Sequence, residues 1–358
     1  MARGFMTAFD VPETTIDGED LNKIWNEFQD TLSLANEHRT AISSLFTYRT
    51  TAESDFVAQL AAGDDFDEAT EFGVPTAMRH DHTIERLSFP LKWYDKATRY
   101  TWAFLRDATA DQVRTIHQQA LEADNRLVFK KVMQALMTDT NRTNDEGNTV
   151  YALWNGDSTV PPAYGGETFT GAHTHYFTTG SATPDGADLR DLINHIRHHG
   201  YGVEPGDQML VMVNPQEGEY VRGYRVANGD PFDFIPSESA PAYLTQDILV
   251  GQRPPKEYNG LTVIGGYGPA WVVEDHYVPK GYVVALATGG PNAERNPLAF
   301  REHKRDTYQG LRQIPGANPA YPLAQSYYSR GFGVGARHRG AAAVMQVTTN
   351  GSYTAPTL

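Results

Sequence analysis

The feature that most constrains this chain is an uninterrupted helical run over residues 109–140. Val113, Ile116, Leu121, Leu127, Val128, Val132, Leu136 and Met137 fall near helical spacing, and no Gly or Pro breaks the run. Thr109 followed by Gln112 makes a capping box at its start, and the turn-forming NRTNDEG of residues 141–147 stops it. At 1.5 Å per residue such a helix spans about 45–50 Å, longer than a small domain is wide. A helix of that length serves as a spine on which other pieces, or other subunits, are laid.

The 358 residues favour about two domains, and 40% hydrophobic with 21% charged residues describes a folded chain. A formal charge of −14, from 44 acids against 30 bases, argues against wrapping nucleic acid directly, because phosphate binding needs a basic footprint. With no Cys, disulfides, zinc thiolates and thiol nucleophiles are excluded. Residues 1–11 lack the apolar run of a signal peptide, and no stretch approaches the roughly 20 apolar residues of a membrane span. The expected setting is a cytoplasm.

Ahead of the spine, residues 1–16 read as an extended arm. Residues 17–33 read as an amphipathic helix with Leu21, Ile24, Trp25, Phe28 and Leu32 on one stripe. Two readings stay open for it, a core helix of its own domain or an arm docked on a neighbour. Residues 44–51 read as a strand. An acidic stretch with Asp64, Asp65, Asp67, Glu68 and Glu71 follows, and a basic return carries Arg79, His80, His82, Arg86, Lys92, Lys96 and Arg99. Within the return, Leu87, Phe89, Leu91 and Trp93 alternate with polar neighbours as a half-buried strand, and Pro90 makes it an edge strand. A two-stranded ribbon is marginal alone in water. It reads as a tongue lying across another subunit, the alternative being a hairpin folded on its own domain.

The remainder is mostly β. Strands are expected over 150–154, 168–179, 209–213, 261–264, 271–273, 282–287 and 343–347. A short helix is expected over 183–200, where Leu189, Leu192, Ile193 and Ile196 share a face and Gly200 supplies the stop. A polar, Pro-rich region fills 216–258, and Pro279-Lys280-Gly281 suits a tight turn.

Histidines offer the best enzymatic pattern. His173 and His175 share a strand face, and His195 and His199 a helix face, so four imidazoles could hold zinc or another borderline metal. Cupins place a carboxylate beyond the second His, where this chain has Phe177, Thr178 and Thr179, and HIRHH lacks the Glu of H-E-x-x-H. Surface and hydrogen-bonded histidines account for the pattern more simply. The glycines of 331–335 precede Arg337, His338, Arg339 and an Ala-rich strand, not a helix, so they resemble a phosphate loop only superficially. No G-x-S-x-G elbow or Walker A sequence occurs. The sequence assigns no catalytic residue, no cofactor and no metal ligand.

In its order of parts, the chain resembles the major capsid proteins of tailed bacteriophages, which have the HK97 fold, and most closely those of actinobacterial phages. The residues carrying the likeness are 151–176 (YALWNGDSTVPPAYGGETFTGAHTHY), 187–201 (ADLRDLINHIRHHGY), 211–215 (VMVNP), 272–284 (VVEDHYVPKGYVV) and 329–347 (SRGFGVGARHRGAAAVMQV). The resemblance implies an α+β fold. Residues 1–43 would form an N-terminal arm, and 44–101 an extended loop reaching over an adjacent subunit. Residues 102–184 would form a peripheral domain on the spine 109–140, and 185–297 a mixed α/β axial domain. Residues 298–358 would return to the peripheral domain. It implies self-assembly through pentamers and hexamers into an icosahedral virion shell around double-stranded DNA, without sequence-specific binding or a membrane. Portal and scaffolding proteins, with decoration proteins in some shells, would be the partners; with no large removable N-terminal domain ahead of the arm, the resemblance implies a separate scaffolding protein or a short arm serving in its place. Assembly would take place in the host cytoplasm. Some family members crosslink a loop Lys to an Asn on a neighbour, but no Lys occurs from Ile24 to Leu91, so an uncrosslinked shell is expected. The competing readings are a cellular encapsulin shell of the same fold, and a metal-dependent enzyme using His173, His175, His195 and His199.

Overall fold

The computed structural model describes residues 12–37, 40–58, 68, 73, 84–238, 253–317 and 323–358. The chain divides into two compact units, one built from 1–40, 91–130 and 301–333, the other from 41–90, 131–300 and 334–358.

In the first unit, the spine helix Ala110–Met137 begins as its sequence dictates. Gln112 N–H donates to Thr109 Oγ1 at 3.4 Å, and Thr109 N–H to the Gln112 side-chain oxygen at 3.0 Å. Asp17 adds a carboxylate at the same terminus, accepting from Ala110 N–H at 3.2 Å, where the helix dipole favours negative charge. The helix Leu21–Glu37 lies on the spine's first turns, burying Leu21, Ile24 and Phe28 against Leu105, Ala110 and Val113. Of the two readings of that helix, packing into its own chain is the one these contacts show. Arg114 ties the spine to that helix through Glu27 at 2.9 Å and to the turn ahead of it through Glu19 at 2.6 Å. The strand Lys92–Arg99 pairs antiparallel with residues 325–332 of the long strand Gln325–Ala336, and Arg312–Pro315 flanks 326–329.

The second unit holds an eight-stranded mixed sheet. Its centre runs Leu261–Tyr267, Ala270–Glu274, Gln208–Val213, Tyr282–Thr288, Ala342–Gln346 and Tyr176–Thr178. Two pairings are parallel, Ala270–Glu274 on Gln208–Val213 and Ala342–Gln346 on Tyr176–Thr178. Gln208–Val213 and Tyr282–Thr288 are apolar and buried almost throughout, as strands covered on both faces should be. The helix Gly186–Arg197, capped reciprocally by Asp185 and Asp188, packs Leu189, Leu192, Ile193 and Ile196 against Ala285, Ala287, Ala343 and Met345. Alanines on the strands leave the volume that the branched helix residues fill.

Several elements differ from the sequence reading. The spine ends at Met137, three residues early. Residues 44–51 divide into a helix, Ala41–Phe46, and a strand, Thr47–Thr50. The alternating stretch 87–94 is two strands, Ile84–Ser88 and Lys92–Arg99, parted around Pro90, which has no N–H for a ladder. Trp93 is 49% exposed and not on a buried face. Strands expected over 150–154 and 168–179 shrink to Thr149–Val150 and Tyr176–Thr178. Part of the polar region 216–258 is a helix, Pro215–Arg222, with Asn214 as N-cap. The glycines of 331–335 lie inside the strand Gln325–Ala336, so no phosphate loop exists there. The acidic residues Asp64, Asp65, Asp67 and Glu71, the basic Arg79, His80 and His82, and the arm residues 1–11 lie outside the described residues.

Candidate functional site

The ribbon expected to reach a neighbour has a described root. Ser54–Ala58 and Ile84–Ser88 pair antiparallel, from Ser54 opposite Ser88 to Ala58 opposite Ile84, as a sheet of two strands. Alternation puts Val57 inward, with Leu87, Phe89 and Ala299, and leaves Phe56 67% exposed. Glu85 falls on the same buried face as Leu87. A carboxylate there requires a charged or hydrogen-bonding partner.

Arg339 is that partner. Its side chain is fully buried, and Nη1 donates to Glu85 at 3.1 Å. Nε donates to the Ala152 carbonyl at 3.0 Å, and Nη2 to Asp157 at 2.8 Å. The guanidinium lies over the rings of Trp154 and Tyr151, at 4.1 and 4.8 Å from their centroids. Burial raises the Glu85 carboxyl above its ordinary range despite the pull of Arg339. Burial acts the same way on Asp157, but the Asn141 amide and the Arg339 charge outweigh it and hold that carboxyl low. Two residues earlier, Arg337 stacks on Tyr48 at 4.4 Å and reaches Asp55 of the outgoing strand at 3.4 Å. One short segment, 337–339, thus supplies an arginine to each limb of the ribbon.

The second constellation is histidine-rich. His173, His175, His198 and His199 bring one ring nitrogen each within 4.8 Å of one another. The helix ends at Arg197, with His198 as its cap and the His199 N–H turned back to Ile196 O at 3.2 Å. Gly200 follows at φ +83°, a conformation that favours glycine. This tight exit swings both His198 and His199 toward the approach to Tyr176–Thr178. His195 stands at the margin, its Nδ1 donating to the Asp191 carbonyl at 2.9 Å and its ring 4.2 Å from Phe177. Burial holds His173 and His198 down to about 4 and His199 to about 2, with the neighbouring histidines acting in the same direction. Burial also holds His175 well below its ordinary value. Of the four histidines singled out from sequence, three enter the cluster; His198 replaces His195.

A chain of Mycobacterium phage Patience is 38% identical, with a TM-score of 0.71 over 99% of this chain and 96% of that one. The capsid of a native GTA particle computed with C5 symmetry shares the fold at 15% identity and a TM-score of 0.50, over 87% of this chain and 91% of that one. The chain belongs to the HK97-fold major capsid proteins of tailed phages. No protein-family model and no curated protein matches it.

A major capsid protein is a component of the virion's icosahedral shell and not an enzyme, so the metalloenzyme and encapsulin readings give way to the phage one. Self-assembly into a shell follows from the family. No helix among the described residues is long and apolar enough to cross a membrane. The arginine segment 337–339 carries no sequence motif. Glu85 on an otherwise apolar strand face is the signal that points to it, because an inward acid requires a buried base.

Proposed function

We propose that this capsid protein assembles as pentamers and hexamers around double-stranded DNA, with the ribbon of 44–101 lying across an adjacent subunit. Residues 1–43 act as the arm, 102–184 and 298–358 as the peripheral domain, and 185–297 as the axial domain. Separate scaffolding and portal proteins, and in some shells decoration proteins, are the partners, and assembly takes place in the host cytoplasm. The negative balance of −14 suits a wall that must not adhere to its genome. The first compact unit draws on 1–40, 91–130 and 301–333, all outside the proposed axial segment.

The observation carrying this reading is the ribbon root. Both limbs are held by arginines of their own chain, while Phe56 stands exposed on a sheet that, among the described residues, has two strands. An exposed aromatic on a marginal ribbon needs a second surface. Phe56→Asp should leave the unassembled protein folded, with an unchanged far-ultraviolet spectrum, and abolish the hollow particles that the parent protein forms in negative-stain micrographs. Particles from the variant at parental yield would overturn the assignment of the ribbon as an intersubunit element.

A further inference from the structure

We propose that His173, His175, His198 and His199 form a structural site for one divalent transition-metal ion, zinc in the first instance, which staples the approach to Tyr176–Thr178 onto the end of the helix Gly186–Arg197. The convergence of four ring nitrogens within 4.8 Å is the first observation. The second is what those nitrogens lack.

His175 has no accessible surface, and its Nδ1 donates to the Ala342 carbonyl at 2.7 Å. That bond fixes the tautomer, leaving the Nε2 lone pair directed away from the strand, and this Nε2 is buried without a hydrogen-bond partner. A carbonyl holding one ring nitrogen so that the other can ligate is the usual outer-shell arrangement of metal-bound histidine. His198 Nε2 is likewise buried without a partner. His173 and His199 meet Nε2 to Nε2 at 2.9 Å, so one ring donates its proton to the other's lone pair. Each orphaned buried polar atom carries an uncompensated desolvation penalty, which a cation at the centre removes.

The donor set selects the ion. Four neutral imidazoles offer nitrogen and no oxygen, which suits zinc, nickel or copper and excludes the oxygen-seeking magnesium and calcium. Tetrahedral zinc with ligands at 2.0–2.1 Å requires ligand edges of about 3.4 Å. The present separations reach that by small ring rotations about the centre. The one Nε2 proton now shared by His173 and His199 transfers through solvent to the Nδ1 of the same ring, so both rings ligate as neutral imidazole. Phe169 lies 4.3 Å from the His199 ring and 4.8 Å from the His173 ring, an apolar cover that limits water at the site. Such an ion would join the end of the helix Gly186–Arg197 to a segment whose own backbone pairings run to Asn155 and to the strand Ala342–Gln346. The inference concerns the folded subunit and holds whether or not the ribbon acts between subunits.

The test is cobalt titration of the full-length protein without a polyhistidine tag, after chelator treatment and dialysis. The expected result is one equivalent of Co²⁺ with the intense visible ligand-field bands of tetrahedral coordination, displaced by one equivalent of Zn²⁺, and a thermal midpoint raised by Zn²⁺. His198→Gln, at a half-buried position, should weaken binding at least about tenfold, with His173→Gln a second variant and His276→Gln an unaffected control. Failure of the parent protein to bind stoichiometric cobalt at micromolar concentration overturns the site, whether or not the variants fold. So does parental affinity in both folded variants.

Discussion

Glu85 and Arg339, 254 residues apart, meet at 3.1 Å in a buried ion pair that anchors the return strand of the ribbon to the segment before Ala342–Gln346. The pair is a device for position more than for net stability, since burying both charges offsets most of their attraction. Its two halves are unequal. Arg339 also serves Asp157 and the Ala152 carbonyl, so Arg339→Met strands two carboxylates and a carbonyl and should cost about 3–5 kcal/mol. Glu85→Gln keeps an acceptor for Arg339 and removes a charge that burial already disfavours, so it should cost about 1–2 kcal/mol. Denaturant unfolding of the unassembled protein measures both; equal losses would contradict this division.

A pH dependence follows from His117 in the spine helix. Its ring stacks on Phe28 with centroids 4.1 Å apart, and its Nδ1 hydrogen-bonds the Tyr328 hydroxyl, itself accepting from Gln313 at 2.9 Å, at 2.7 Å. Burial lowers the imidazole from 6.5 to about 4. Between those values the unfolded chain takes up a proton that the folded one refuses. Its contribution is therefore complete above about pH 6.5 and declines as the pH falls toward 4. Other buried histidines act in the same direction, so the comparison must be with His117→Gln. Between pH 7.5 and 5, the parent protein should lose about 1–2 kcal/mol more than the variant, read from denaturant midpoints at each pH.

What the sequence made legible was local. The spine was readable because Thr109, Gln112 and an unbroken apolar stripe all lie within one element, and the helix Gly186–Arg197 for the same reason. Short elements were not readable. The helix Pro215–Arg222 falls in a stretch that reads as a polar, Pro-rich region, although Asn at the cap and Pro at the first helical position mark a helix start. His198 was missed because the i, i+4 pairing of His195 with His199 assumes that the helix continues, and it stops at Arg197. The Arg339–Glu85 contact joins positions with no common periodicity. Only the oddity of an acid on an apolar strand face foreshadows it.

Gly331, the first glycine of the run 331–335, is required by close packing, and that can be tested. A Cβ on Gly331 would sit 2.8 Å from the Trp93 ring across the pairing of Lys92–Arg99 with Gln325–Ala336. Gly331→Val should therefore push the indole off the strand and destabilise the protein by about 1–3 kcal/mol. In a Trp93→Ala background the same substitution should cost much less, because the clash is gone and a β-branched residue suits a strand. Additive losses in the double-mutant cycle would show that Gly331 is needed for something other than the indole.

Covalent chemistry between subunits is the last consequence of the ribbon's composition. Lys is absent from Ile24 to Leu91, and Lys92, on the return limb of the 44–101 segment, lies opposite Phe332 at the start of a paired strand. An isopeptide bond to a neighbour's Asn needs an amine carried out to the far subunit, whereas Lys92 sits in a strand paired with residues 325–332 of its own chain. Mature heads boiled in detergent should therefore run as a single monomer band. A ladder of covalent multimers, traced by peptide mass spectrometry to Lys92, would show that the strand Lys92–Arg99 detaches in the assembled shell.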